Sequence, residues 1–448
     1  MVPPMMRWVA GAEIEVVFTH WTRRGEAAVD VDGVELRVPG PIPGERGRVR
    51  VTGRSRGGPV AWGELIEISE SSPHRRPAPC PLEGRCGGCG LQHVADAAQL
   101  GLKVRSAPLG SELRDALVPE GDWIRSAPFG WRHKAILLPA RVRGRLALGG
   151  YARGSHEVVD QPDCAVLAAP LRAAVNGLRE ALAPLDLPLS PPGSPILDGA
   201  LRAIVLRGSR SGGVLATIVV TSPDARLRAT LKSLVVRGVL SGAFEHVHDA
   251  PGDAVIGRGP ARLLAGVEQL VEEVADVGLP LLPLAFFQVN PGVLEQIVLR
   301  LRDEAQGAER LVDAYSGVGA LGLGVAARLE PAPSLAGCDV VESGVAAAVE
   351  TAAALGIAAD YRVGAPAACL SVVASDVVLV DPPRKGCKPA DLAALASAGT
   401  ILYVSCNAAS LARDAERLLE QGFRVSALVP ADMLPQTHHV EWIARFDR

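Results

Sequence analysis

The sequence has no apolar run long and uninterrupted enough to cross a bilayer, so a membrane-embedded protein is not expected. The N-terminal stretch Met1 to Arg7 lacks the basic-then-apolar layout of a signal peptide, which makes a cytoplasmic location the expectation. Eight cysteines in 448 residues are too few for a disulfide scaffold of this size. Low-complexity tracts and clear repeats are also lacking. A net charge of -3 argues against an indiscriminate nucleic-acid binder. Lysine is scarce and arginine carries most of the positive charge. Acids are missing locally from two stretches. Arg46 to Arg56 holds five arginines and no Asp or Glu. Arg125 to Arg153 is likewise acid-free and contains Arg125, Arg132, Lys134, Arg141, Arg143, Arg145 and Arg153. Such stretches in an acidic chain favour local phosphate contacts, or else mark solvated faces where arginine replaces lysine.

What is present points to two or three globular domains: 448 residues exceed one ordinary core, and 48% of them are hydrophobic. Residues 12 to about 69 read as short strands separated by Gly/Pro turns, such as Ile14-Glu15-Val16-Val17-Phe18 and Val34-Glu35-Leu36-Arg37-Val38, the pattern of a small β-barrel. Period-two alternation puts Arg46, Arg48 and Arg50 on one face, with Val49 and Val51 inward, a plausible nucleic-acid-binding surface. Residues 95 to 120 read as helical, and 125 to 278 mix strands and helices. From about 281 strands alternate with Ala/Leu-rich helices, as in a parallel, doubly wound sheet.

Three strand-like runs of that last region end in polar residues. Leu311-Val312 leads into Asp313-Ala314-Tyr315-Ser316-Gly317-Val318-Gly319, Val377 to Val380 leads into Asp381-Pro382-Pro383-Arg384, and Ile401 to Val404 leads into Ser405-Cys406-Asn407. In open α/β sheets ligands bind beyond the carboxyl ends of strands. Gly317 and Gly319 permit a sharp turn with close ligand approach, and Asp339, ending the next strand, sits where an acid commonly binds ribose hydroxyls. The three-glycine dinucleotide spacing is absent and nothing nearby supports hydride chemistry, so S-adenosylmethionine is favoured over NAD. A tight structural turn is the bland alternative.

Cys80, Cys86 and Cys89 lie on a glycine-containing loop, and Cys164 could complete a set of four thiolates. That set suits an Fe–S cluster or zinc, and His93 keeps a mixed Cys/His zinc site open. Cys406, at a strand end, is placed for chemistry, although buried cysteines are often inert. A free thiol near ~8.5 is mostly protonated at neutral pH, so a nucleophile needs a local device, for which Arg384 and Lys385 are candidates. Glu441 opens the last strand. If that strand runs antiparallel, Glu441 faces Cys406; otherwise it is a solvated strand-end carboxylate.

Together these residues resemble the RNA uracil-5-methyltransferase family, the TrmA/RumA class, through nearly the whole chain. The resemblance rests on the four cysteines, Gly150 to Asp160, Phe286-Phe287-Gln288-Val289-Asn290, Asp313 to Gly319, Asp339, Asp381 to Arg384, Tyr403 to Asn407 and Asp432 to Glu441. It implies a Rossmann-like α/β methyltransferase domain with an N-terminal TRAM/OB-like barrel and a central α+β domain. The expected divisions are 1–70, 71–280 and 281–448, with the helical part near 95–122 packing on the catalytic domain. It implies S-adenosylmethionine bound by Gln288, Asp313, Tyr315, Gly317, Gly319, Asp339 and Asp381, and a [4Fe-4S] cluster on Cys80, Cys86, Cys89 and Cys164. Cys406 would be the nucleophile and Glu441 the general base. Arg132, Lys134 and Arg384 would contact RNA, and Asp381 would also read the polar edge of the target uracil. The expected partner is RNA, ribosomal in preference to transfer RNA, acted on by a monomer. Three positions depart from the family pattern: Ser316 where Cys is frequent, Ala408 where Pro is usual, and Gly364-Ala365 without a polar residue for the adenine. Two competing readings are a non-catalytic Fe–S RNA-binding protein and an amino-methyltransferase built on the Asp-Pro-Pro loop, which would need no Cys406.

Overall fold

The computed structural model describes residues 8–370 and 375–448; the N-terminal stretch Met1 to Arg7 lies outside them. Three large sheets follow one another along the chain. The first has six strands, in the order Glu13–Val17, Arg46–Arg54, Val60–Glu70, Val34–Pro39, Glu26–Val31, His20–Trp21. Its two edge strands are consecutive in the chain. Only Phe18 and Thr19 separate Val17 from His20, a reach of at most about 11 Å, whereas six strands laid flat would put the edges about 24 Å apart. The sheet must therefore curl, and Phe18, Trp21, Leu36, Ile42, Val49 and Val51 fill its interior. As the alternation predicts, Arg48 and Arg50 point outward while Val49 and Val51 are buried. The outward arginines are not free cations, however. Arg46 pairs with Glu70, Arg48 with Glu13 and Glu67, and Arg50 with Glu13. The basic face expected from one strand is neutralised by glutamates from its two neighbours.

The second sheet has seven strands, centred on Val214–Val220, Leu201–Gly208 and Lys134–Val142. The first two are buried along their whole length, which explains their near-continuous apolar sequence. Helices Ala169–Leu182 and Ala225–Val236 cover one face through Leu171, Leu178, Leu227 and Leu231.

The third sheet runs in the order Ala359–Val363, Ser334–Asp339, Arg310–Ala314, Val377–Val380, Thr400–Ser405, Glu441–Asp447, Arg424–Ala431. The first five strands are parallel, and Glu441–Asp447 is antiparallel to both its neighbours. Alternate residues feed two cores. Val377 and Leu379 pack with helices Pro291–Glu304 and Glu342–Leu355; Val378 and Val380 pack with Ala408–Glu420. The stretch that reads as helical over 95–120 contains two helices, Asp96–Ser106 and the short Ser111–Asp115. Leu100, Val104, Leu109 and Leu113 belong to the core of the third sheet, and residues 116 to 124 run along its outer strand through bridges Leu117–Leu428 and Ile124–Ala431. Among the described residues no helix is long and apolar enough to cross a membrane.

Candidate active site

The order of strands in the third sheet reverses between Arg310–Ala314 and Val377–Val380, the switch point where α/β sheets open a crevice. Asp313 lies near the end of one strand and Asp381 just beyond the other. Asp313 is buried, and its Oδ2 accepts a hydrogen bond from Gly322 N (2.9 Å) in the helix Ala320–Ala326. A Cβ at Gly322 would lie 2.7 Å from that carboxyl, so glycine is required there. The intervening loop carries positive φ at Tyr315 (66°), Gly317 (55°) and Gly319 (80°). Asp339 braces it from the next strand, accepting from Gly317 N (3.0 Å) and Val341 N (2.8 Å). Tyr315 contributes its backbone to the turn, while its hydroxyl donates to Asp391 Oδ2 at 2.7 Å. Gln288 sits half-buried just before the helix Pro291–Glu304, on a segment fixed by His133 N donating to Val289 O and by Asn290 bonding Ser126 and Met433. The structure thus gathers the Asp313 to Gly319 loop and Asp339 directly. At Ser316 the hydroxyl is buried without a hydrogen-bond partner.

Cys406 follows the strand Thr400–Ser405. Ser405 is paired with Trp442 in the antiparallel ladder, so the next pair in register is Cys406 and Glu441. The condition posed by the sequence, an antiparallel last strand, is met. Asn407 caps the helix Ala408–Glu420, accepting from Ala409 N (3.2 Å), and its Nδ2 donates to Arg384 O (2.9 Å). The thiol loop and the Asp-Pro-Pro-Arg loop are thereby tied together. Burial, the Glu441 carboxyl and Asp381 push the Cys406 thiol up to about 11, against a lowering contribution from the charge and hydrogen bond of Arg384. Of the two cations considered, Arg384 reaches the thiol. Burial pushes Asp381 up to about 7. Burial and then Asp381 hold Glu441 well above the carboxylate range, with Arg384 opposing. Burial, followed by Asp381 and Asp339, raises Asp313 to about 7 as well.

The segment carrying Glu441 is anchored by residues that sequence reasoning did not single out. Gln436, fully buried with φ of 67°, accepts at its carbonyl from both Gly90 N (2.9 Å) and Leu91 N (3.0 Å). Its amide groups exchange hydrogen bonds with Gln99, and its Nε2 donates to Asp96. Lys103, buried on the same helix, donates to Asp432 at 2.7 Å and to the carbonyls of Leu434 and His439. The ring of His438 lies edge-on to Trp21 of the curled sheet, centroids 5.0 Å apart. The only signal in the sequence is polar residues at inward helical positions. Their partners are more than 300 residues away.

Two cavities flank this segment. One of about 650 Å³ is lined by Arg23, Arg24, Arg37, Arg384, Cys406 and His439. The other, about 950 Å³, holds Cys80, Cys86, Cys89 and Cys164 together with Arg132 and Arg384. Cys86 Sγ accepts from Gln161 Nε2 (2.9 Å) and Gly88 N (3.3 Å). Burial, opposed by Gln92 and reinforced by the other three thiols, raises Cys89 to about 11. Arg132, expected at RNA, is directed toward this thiol group, whose charges favour its cation against burial. His93 is turned onto Glu83 at 2.7 Å. Among the described residues no group of three or more His, Cys, Asp or Glu side chains converges to hold a metal ion.

Comparison with known proteins fits this geometry. An uncharacterized RNA methyltransferase of Thermosynechococcus vestitus is 34% identical, the alignment covering 98% of this chain and 99% of the relative. One from Gloeobacter violaceus is 33% identical over 98% and 97%. A family model described as tRNA (Uracil-5-)-methyltransferase matches residues 366–444, a stretch that contains the Asp-Pro-Pro loop, Cys406 and Glu441. The chain belongs to the RNA uracil-5-methyltransferase family. Among solved structures, the tRNA (uracil-54, C5)-methyltransferase of Pyrococcus abyssi in complex with S-adenosyl-L-homocysteine superposes with a TM-score of 0.75 at 25% identity, covering 96% of this chain and 99% of that one. That family membership accounts for a methyltransferase sheet whose switch point, thiol and buried carboxyls share one edge.

Proposed function

We propose that this protein methylates carbon 5 of a uridine in RNA, with Cys406 as nucleophile and Glu441 as general base. The observation that carries the proposal is the ladder register that sets Cys406 opposite Glu441, with Asp381 and Arg384 beside both. Carbon 5 of uracil is a poor nucleophile. The Cys406 thiolate forms a bond to carbon 6, which makes carbon 5 enolate-like. S-adenosylmethionine, held by Asp313, Tyr315, Gly317, Gly319, Asp339, Gln288 and Asp381, supplies the methyl group. Glu441 then takes the proton from carbon 5, and cleavage of the bond to carbon 6 returns Cys406 as thiolate. A carboxyl poised near neutrality, as Asp381 is, can both donate to a uracil carbonyl and accept from N3–H. The target leaves its stack to reach the thiol, at a cost of about a few kcal/mol, least when already unpaired.

The four cysteines are the set that would hold a [4Fe-4S] cluster: their thiols line one cavity, and the other three act on Cys89 through their charges. When bound, the cluster would give the loop a rigid inorganic core held by Cys80, Cys86, Cys89 and Cys164. The module of residues 1–70, to which the curled sheet belongs, acts in RNA binding. Residues 71–280 carry the cluster loop, and 281–448 catalyse, the protein working as a cytoplasmic monomer. The TRAM-like and cluster resemblance favours ribosomal RNA, while the likeness to the P. abyssi enzyme favours transfer RNA. Mapping 5-methyluridine in total RNA from a deletion strain separates the two. Cys406→Ala should lose both methylation and covalent capture of 5-fluorouridine RNA. Glu441→Gln should retain the adduct without turnover. Methylation by Cys406→Ala refutes the assignment.

A further inference from the structure

A pair of cations, one of them the Lys134 that the family resemblance assigns to RNA, lies outside the linings of the two cavities. Lys134 and Arg207 are cross-strand partners in the antiparallel strands Lys134–Val142 and Leu201–Gly208, so their side chains leave the central sheet side by side on one face. Arg207 is only 3% exposed, and its Nε and Nη2 are buried without a hydrogen-bond partner. Among the described residues no carboxylate pairs with either side chain. Other arginines of this region meet carboxylates, as Arg210 does Glu272 and Glu295 and Arg228 does Glu245, while the buried Arg202 of the same strand bonds the carbonyls of Gly252 and Ala254. Two adjacent cations without a carboxylate partner, one half-buried and one buried, are unfavourable unless an anion joins them. Their titration reflects this: burial, Arg207 and Arg132 push Lys134 down to about 8, and burial pushes Arg207 down to about 10.

Lys134 does not itself line the 950 Å³ cavity, but it lies between two residues that do. Arg132 and Ile136, on either side of it in the chain, line the 950 Å³ cavity, which also contains Arg384 and His439. Arg384 and His439 in turn line the 650 Å³ cavity containing Cys406. A polynucleotide with its target base at Cys406 can follow this surface toward Lys134. We propose that Lys134 and Arg207 form a receptor for an oxyanion, filled by a backbone phosphate of the RNA distant from the target uridine. The phosphate source rests on the RNA-substrate reading above; the anion site does not. A second possible source of the same chemistry is the carboxylate of the methyl donor, because His133 is bonded to Val289, next to Gln288.

Arg207→Met keeps the length and removes the charge. A site built for an absent anion predicts that this variant unfolds at a higher temperature than the wild type, the opposite of losing a structural arginine. Inorganic phosphate should raise the melting temperature of the wild type and not of the variant. With an RNA that the wild type methylates, KM should rise tenfold or more with kcat little changed. The slope of log affinity against log salt should fall by about 0.7–0.9 for the lost phosphate. Calorimetric affinity for S-adenosylmethionine should be unchanged. Lys134→Met should repeat the loss in RNA affinity. A lower melting temperature with unaltered RNA affinity overturns the proposal, as does an equal phosphate response in the variant. Loss of donor affinity instead of RNA affinity assigns the anion to the donor and also overturns it. A wild type that responds to phosphate yet methylates no RNA would contradict the proposed function while leaving the anion site standing.

Discussion

Replacing Arg384 by Gln should slow attack by Cys406 and make the loss recoverable with base. With the thiol at about 11, only on the order of one protein molecule in 10⁴ carries the thiolate at pH 7. Arg384 opposes the burial, Glu441 and Asp381 contributions through its charge and its hydrogen bond. A hydrogen bond to a charged group contributes about 1.5–3 kcal/mol. Arg384 is exposed on its solvent side, so screening places its effect at the lower end, about tenfold in thiolate population. The assay is the rate of covalent adduct formation with 5-fluorouridine RNA and S-adenosylmethionine between pH 7 and 9. The wild-type rate should rise about tenfold per pH unit, because thiolate is the limiting species. Arg384→Gln should give a parallel line about one unit lower. A pH-independent wild-type rate would refute the inference that ionisation of Cys406 limits attack. A variant as fast as the wild type at pH 7 would remove Arg384 from the role.

The remaining predictions use the same site and its supports. Asp313 holds its proton up to about 7 when folded, against an ordinary 3.8 when unfolded, so its contribution to stability is fully present below about pH 4 and is lost as pH rises through 7. Asp313→Asn keeps the acceptor for Gly322 N, and its melting temperature should fall less than that of the wild type between pH 5 and 8. Gln436→Ala removes the buried side-chain acceptor for Gln99 Nε2 and the donor to Asp96, while the backbone bonds to Gly90, Leu91 and Gln99 remain, and should destabilise by about 1–3 kcal/mol in denaturant unfolding. If Gln436 also positions the base, covalent RNA adduct should persist longer than in the wild type. Arg23→Ala with Arg24→Ala should raise KM for RNA about tenfold, since both arginines line the Cys406 cavity. Arg48→Ala with Arg50→Ala should change it little, because glutamates already neutralise those side chains.

The contrast between those two arginine pairs shows what a one-dimensional reading reaches. The alternation around Val49 and Val51 was enough to orient Arg48 and Arg50, because strand period is local. Their neutralisation depends on Glu13 and Glu67, on strands whose adjacency follows from the sheet order. Cys406 and Glu441 were legible as a pair because each sits at the end of an apolar run, and one assumption about strand direction brings such ends together. Arg207 was hidden inside Leu201-Arg202-Ala203-Ile204-Val205-Leu206-Arg207, which reads simply as a buried strand; its lack of a partner emerges only when Lys134 is placed opposite. Arg132 stands in an acid-free stretch and reads as a phosphate contact; its proximity to the thiols of Cys86, Cys89 and Cys164 follows only from the fold. Within the stretch that reads as helical over 95–120, the first helix stops at Ser106, and Ala107-Pro108 marks the break, since Pro disfavours helix in the residue before it.

The most direct test of the account is peptide mapping of the covalent complex. The full-length protein would be incubated with S-adenosylmethionine and 5-fluorouridine RNA, digested, and the nucleotide-bearing peptide sequenced by mass spectrometry. The account predicts one modified residue, Cys406, carrying a methylated 5-fluorouridine. A nucleotide on any other cysteine, or methylated uridine formed with no adduct on Cys406, would contradict it.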